Sequence, residues 1–208
     1  MQVTGAREDP PAYIRILNAS PEVTAVDVYA DNLIIARNLA YRGFTSYMEM
    51  RPGKYTIRMY PAGQTAKPHS SKEIELLPAM IYTVAAVGKH ADPDILPIDD
   101  VRVPISPLHA NIRFANLVPD SPSLEVYQPN GEVLFSDVKY KGVSRYRAVP
   151  PGVYTIYVRP KDGKDSILYV PNIRIDADKN YTIYAVGLMK GMPGLQVLIP
   201  LDGSTYLR

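Results

Sequence analysis

Apolar and polar positions alternate with period two through most of the chain. After Pro52-Gly53, the residues Tyr55, Ile57 and Met59 fall on one side of the backbone, with Lys54, Arg58 and Tyr60 on the other. Ile14 and Ile16 flank Arg15, and Val26 and Val28 flank Asp27. This spacing puts successive side chains on opposite faces of an extended strand with one face buried. Residues 82–88 and 181–187 are apolar on both faces, which predicts central strands covered from each side. Pro, Gly and Asx-rich breaks separate these runs roughly every ten residues, so each hundred residues holds about seven short strands.

The pattern occurs twice. Ile14-Arg15-Ile16-Leu17-Asn18 returns as Ile112-Arg113-Phe114-Ala115-Asn116, and Val26-Asp27-Val28-Tyr29 as Leu124-Glu125-Val126-Tyr127. Further on, Pro52-Gly53 with Tyr55-Thr56-Ile57 returns as Pro151-Gly152 with Tyr154-Thr155-Ile156, and Tyr82-Thr83-Val84 as Tyr181-Thr182-Ile183. Comparing copies assigns faces: Tyr154, Ile156 and Val158 stay apolar opposite Tyr55, Ile57 and Met59, whereas Lys54, Arg58 and Tyr60 drift to Val153, Tyr157 and Arg159. Arg15 and Arg113 are read as pointing away from the core. The division is a flexible N-terminal segment (1–11), a first copy (12–100), a proline-containing linker (101–109) and a second copy (110–208). The fold class expected is all-β, two tandem β-sandwiches of immunoglobulin-like or transthyretin-like type. A hundred residues suffice for such a core. At both Pro-Gly pairs the proline presets φ and the glycine is expected to take a positive φ. Gly152→Val is therefore expected to destabilise the second copy.

Asn18-Ala-Ser-Pro21, Val26-Asp27-Val28-Tyr29, Pro52-Gly53-Lys54-Tyr55-Thr56-Ile57 and Tyr82-Thr-Val84-Ala-Ala-Val-Gly88 together resemble the bacterial domain of unknown function 4397. The second copy keeps the order, with Asn116-Leu-Val-Pro119 in the first position. The resemblance implies β-sandwich modules, often exported and sometimes repeated, and carries over no activity, ligand or catalytic residue. Two-copy members without a signal peptide, ending in a segment like residues 195–208, resemble proteins of spore-forming Firmicutes. A spore-layer role is the expectation by that analogy.

Composition agrees with short strands and tight turns: 20 Pro, 13 Gly and 16 Tyr stand against 3 Phe and no Trp. With no cysteine there is no disulfide framework, thiolate nucleophile or zinc-thiolate site. Residues 1–11 are polar and carry Arg7, Glu8 and Asp9, so cytoplasmic synthesis without a signal peptide is expected. No apolar run reaches membrane-spanning length. The first 105 residues hold 11 Lys+Arg against 12 Asp+Glu, giving −1, and the remainder 12 against 9, giving +3. That balance argues against specific nucleic-acid binding.

The supply of chemistry is thin. His69, His90 and His109 have no histidine counterpart in the other copy, and all three read as solvated loop residues. His90 with Asp92 and Asp94 is the best metal candidate, outweighed by a plain surface turn. Asp176-Ala-Asp178-Lys-Asn180 starts like a calcium loop but lacks the following glycine and terminal glutamate. Expected catalytic residues, cofactors and metal ligands are none. The distinctive polar stretch is residues 139–147, where Lys139, Lys141, Arg145 and Arg147 interleave with Tyr140 and Tyr146. Of these, Lys139, Lys141, Arg145, Tyr146 and Arg147 are the candidate binding residues for an anionic polymer, against a plainer reading as a charged, blunted edge strand. Tyr60, Tyr127, Tyr157 and Tyr184 fall on non-core positions, where they can line an interface or serve as strand formers.

The function expected is a non-enzymatic structural or interaction protein, self-associating or bound to protein partners. The alternative is a module for carbohydrate or another polysaccharide, or for a polyanion, using the surface tyrosines and the basic stretch.

Overall fold

The computed structural model describes residues 9–207, so the N-terminal segment expected at 1–11 lies largely outside the described residues. The first copy contains β1 (Ala12–Asn18), β2 (Ala25–Ala30), β3 (Leu33–Ala40), β4 (Met48–Met50), β5 (Gly53–Pro61), β6 (Ser70–Leu76), β7 (Ile81–Lys89) and β8 (Asp92–Asp99). The second contains β9 (Ala110–Asn116), β10 (Leu124–Tyr127), β11 (Val133–Val138), β12 (Arg147–Val149), β13 (Gly152–Pro160), β14 (Leu168–Ile175), β15 (Asn180–Val186) and β16 (Gln196–Leu198), followed by the 3-10 turn η1 (Gly203–Thr205). The chain is all-β, and each copy is a sandwich of two four-stranded sheets.

The sheets run β4-β1-β7-β8 over β3-β2-β5-β6 in the first copy, and β12-β9-β15-β16 over β11-β10-β13-β14 in the second. The first strand of each copy lies parallel beside the seventh, with Arg15 opposite Thr83 and Arg113 opposite Thr182. An immunoglobulin sandwich seats its first strand beside its second. Here those two strands lie in opposite sheets of the sandwich.

Inward residues of β1, β2, β5 and β7 build the first core around Ile14, Ile16, Val26, Val28, Ile57 and Val84. Their counterparts Ile112, Phe114, Leu124, Val126, Ile156 and Ile183 build the second. A third apolar cluster joins Leu17, Ala85, Val87 and Ile98 to Ala115, Leu117, Tyr184 and Val186, residues on the far faces of β1, β7, β8, β9 and β15 or, for Leu117, just beyond β9. The two sandwiches thus stack as four sheets, and β7 and β15 are covered on both sides because the second cover is the other copy.

The recurring motifs have local causes. Asn18 donates from Nδ2 to the carbonyls of Val23 and Leu39 and accepts from the Ser20 amide, pinning the β1–β2 loop, and Asn116 does the same with Val138 and the Val118 amide. Tyr55 donates to the Arg51 carbonyl and Tyr154 to that of Pro150, closing the turn before each fifth strand. Both asparagines are fully buried, where an unmet amide is costly.

One turn differs from expectation. Gly53 takes φ +148°, but Gly152 is not among the positive-φ residues, and a Cβ built on it meets only Tyr154 Cε2, at 3.9 Å. The second Pro-Gly pair therefore enters its strand in ordinary backbone geometry, and the expected cost of Gly152→Val is withdrawn. Gly88 (φ +94°) and Gly187 (φ +99°) combine a positive φ with a close approach to neighbouring backbone. A Cβ there would stand 2.2 Å from the Asp92 carbonyl oxygen and 2.3 Å from that of Gly194.

Candidate functional site

Both arginines that point away from the sandwich cores are buried between the copies. Arg15 reaches across to Asp202, Nη2 to Oδ1 at 3.2 Å, and Arg113 reaches back to Asp100 at 2.5 Å. None of the four residues is more than 3 % exposed. Each aspartate is held within its own copy: Thr83 and Tyr47 donate to Asp100, and Thr182 and Tyr146 donate to Asp202. The guanidiniums lie over the Tyr47 and Tyr146 rings at 4.7 Å. Burial, and then the neighbouring Asp100 carboxylate, push Asp202 above the usual carboxylate range, while Arg113 and Arg15 pull it back. Two cations and two anions that satisfy one another are what allows so much charge out of water.

This arrangement is close to two-fold symmetric, and Tyr184 breaks the symmetry. It is fully buried, stands where the first copy has Ala85, and its hydroxyl lies 3.3 Å from Arg15 Nη2 and 3.4 Å from Thr83 Oγ1. Of the non-core tyrosines, it is the one enclosed between the copies.

The five candidate binding residues do not form one cationic face. Lys141 is tied to Asp94 of the first copy at 2.7 Å, and Arg147 to Glu132 and the Val133 carbonyl. Tyr146 belongs to the buried junction. Lys139 and Arg145 are exposed and make no ion pair among the described residues. Lys141, Arg145 and Tyr146 do come together on one groove of about 640 Å³ at the junction, whose apolar lining includes Ile98, Val101, Val103 and Val143.

Among the described residues no three His, Asp or Glu side chains gather as metal ligands. Asp94 is engaged by Lys72 and Lys141, and Asp176 by Arg174. Asn180 turns inward to Ser204. His90 meets His69 instead of Asp92 and Asp94: the rings stand edge to face, 4.9 Å between centroids, and Glu22 accepts the His90 amide. They line a groove of about 620 Å³ at one end of the first sandwich. Burial, and then His90, hold His69 below the usual histidine value. The sequence separates these histidines by two strands, so nothing local announces the pair.

The outer faces of β2-β5-β6 and β10-β13-β14 differ most. In the second copy Tyr127, Tyr157 and Tyr169 sit opposite one another on three neighbouring strands, with ring centroids 5.3 and 5.1 Å apart. Arg159 closes one end of the stack, 4.4 Å over the Tyr127 ring, and is neutralised by Glu125. In the first copy the matching residues are Tyr29, Arg58 and Ser71. Val153, Ile167 and Tyr169 leave large apolar surface exposed there, whereas Lys54 and Glu73 on the first copy form an exposed ion pair. Tyr127 and Tyr157 stand out from alternation alone, but Tyr169 joins them only through the pairing of β13 with β14.

The family described as "Domain of unknown function (DUF4397)" matches residues 12–127 and again 110–204. The chain belongs to this family. Two tandem copies of the DUF4397 domain account for the duplication. No match was found among curated proteins. Solved structures with some similarity include the Bacillus anthracis TIE protein (14% identity, 85% of this chain and 33% of that one, TM-score 0.25). They also include the family CBM26 module CBMbc of Eubacterium rectale Amy13K, solved with maltoheptaose (10%, 93% and 99%, 0.28). A third is a Bacteroides ovatus protein assigned to cell adhesion (11%, 94% and 98%, 0.30). The chain spans about a third of the TIE protein's length. No helix among the described residues is long and apolar enough to cross a membrane.

Proposed function

We propose that this DUF4397 chain is a non-enzymatic interaction protein whose two sandwiches, locked through the Arg15–Asp202 and Arg113–Asp100 pairs, hold the tyrosine face of the second copy towards a protein partner, either further copies of the chain or other proteins of a layer. One observation carries this reading. Val153 is 71 % and Tyr169 56 % exposed on a face whose duplicate is charged. Contiguous apolar patches on a sheet face mark interaction sites, and tyrosine suits contacts that are partly wet. The test restores the first copy's residues to the second in one variant, Val153→Lys, Tyr157→Arg and Tyr169→Ser. Light scattering across a concentration series, with pull-down of layer proteins, should show association for the native chain and none for the variant. A native chain that stays monomeric and binds no layer protein overturns the reading.

A second reading, a neutral polysaccharide, is favoured by the stacked rings and by the pairing of Arg159 with Glu125 and Arg174 with Asp176, which leaves this face little net charge. A glycan and polyanion array separates the two: glycan capture lost with Tyr169→Ser supports it. Salt-sensitive capture of a polyanion that depends on Lys139 and Arg145 returns the site to the basic stretch. The spore layer belongs to this proposal as a setting, and expression confined to sporulation is its test.

A further inference from the structure

The near-symmetry of the junction supplies a template for a ligand. Tyr47 and Tyr146 are equivalent, each donating its hydroxyl to the buried aspartate of its own copy. Beside Tyr47 the chain leaving Asp202 turns through η1. The Gly203 amide donates to Tyr47 Oη at 3.0 Å, and the Tyr206 ring meets the Tyr47 ring edge to face at 6.0 Å. Gly203, Ser204 and Thr205 are buried there. On the other side the chain leaving Asp100 continues through Val101 and Val103 towards β9 and makes no such turn. Among the described residues no amide donates to Tyr146 Oη and no aromatic ring covers Tyr146. What η1 and Tyr206 fill on one side is, on the other, the groove of about 640 Å³, within the size range of ligand pockets.

The two sides also differ in charge. Arg145 stands where the first copy has Ser46, is exposed, and has no ion pair among the described residues. Lys141 adds a second cation shared with Asp94, and Asp99 contributes one carboxylate to the lining. The lone pairs of Tyr146 Oη, the apolar floor of Ile98, Val101 and Val143, and the free guanidinium of Arg145 form a three-part recognition surface. We propose that this groove docks a short peptide segment that places a backbone N–H on Tyr146 Oη, an aromatic side chain on the Tyr146 ring, and a carboxylate on Arg145. It is separate from the tyrosine face of β10-β13-β14, and each stands without the other.

The probe is fluorescein-labelled Gly-Ser-Thr-Tyr-Leu-Glu, the sequence of residues 203–207 extended by one glutamate, titrated into the full chain and read by fluorescence anisotropy. Saturable binding is expected, weakened about tenfold or more when the peptide tyrosine becomes alanine, in line with loss of an aromatic contact. Arg145→Glu should weaken the Glu-ended peptide several-fold and leave its Gln-ended analogue unchanged. Val143→Glu should abolish binding. Val101→Glu, at a 46 % exposed position, is the second blocking variant, and melting curves are to check that both variants fold. Three results overturn the proposal: no saturable signal; binding that survives both blocking variants in folded protein, which would place the peptide at Tyr47 or elsewhere; or displacement by heparin or maltoheptaose but not by unlabelled peptide.

Discussion

Arg15 and Asp202 lie 187 residues apart and in different copies, yet their side chains pair at 3.2 Å in a site closed to solvent. With its near-symmetric partner, Arg113 on Asp100, this contact turns a duplication into a joined pair. Removing one member leaves an uncompensated buried charge, so Arg15→Met and Asp202→Asn should each cost about 3–5 kcal/mol in urea denaturation. Arg15→Met with Asp202→Asn should cost clearly less than the two single losses added. Additive losses would show that the pair is not coupled.

Tyr184 and Ala85 occupy equivalent positions on β15 and β7, and of the two only Tyr184 carries a ring. Tyr184→Phe keeps the packing and loses the hydroxyl contacts to Arg15 and Thr83, an expected cost of about 0.5–1.5 kcal/mol. Ala85→Tyr forces a second ring into a filled space, at about 1–3 kcal/mol. Equal tolerance of both changes, measured by melting, would mean the junction is loosely filled.

Gly88→Ala and Gly187→Ala should each destabilise by about 1–3 kcal/mol, since both demand positive φ and both put a Cβ against a backbone oxygen. Gly152→Ala, at the glycine of the second Pro-Gly pair, should change stability by less than about 0.5 kcal/mol. Reversal of that order in urea midpoints would contradict the turn geometry.

His69 gives the first copy a pH dependence. Burial and His90 lower its proton affinity in the folded chain, so the unfolded chain binds more protons just below the ordinary histidine value of about 6.5. The stability that neutral His69 contributes is complete above that value and is lost as the pH falls below it. His69→Gln should flatten the decline in urea midpoint between about pH 7 and 5. Parallel profiles for the two proteins would assign the acid sensitivity to other groups.

The faces of single strands were legible because alternation reports burial directly: Ile57 and Ile156 face the cores, and Arg58 and Tyr157 do not. The loop asparagines and turn tyrosines were legible as repeated letters, although their hydrogen bonds were not. Arg15 and Arg113 show where such reading stops. Alternation correctly sends them away from the sandwich cores, but a residue beside Ile14 or Ile112 carries no mark that another copy will cover it. The hint lay in β7 and β15, apolar on both faces and so in need of a second cover. The basic stretch was legible as a run of charge, yet Asp94 and Glu132, which neutralise Lys141 and Arg147, come from elsewhere in the fold. His69 with His90, and Tyr169 with Tyr157, meet only through tertiary pairing.

That the two copies behave as one unit is tested most directly by placing a single reporter in each. The chain has no tryptophan, so Tyr29→Trp in the first copy and Tyr127→Trp in the second each give a fluorescence signal belonging to one sandwich. In urea the two variants should unfold at the same midpoint as the far-ultraviolet circular dichroism, in one cooperative transition that separates when Asp202→Asn is added. Two distinct midpoints in the unaltered background would contradict it.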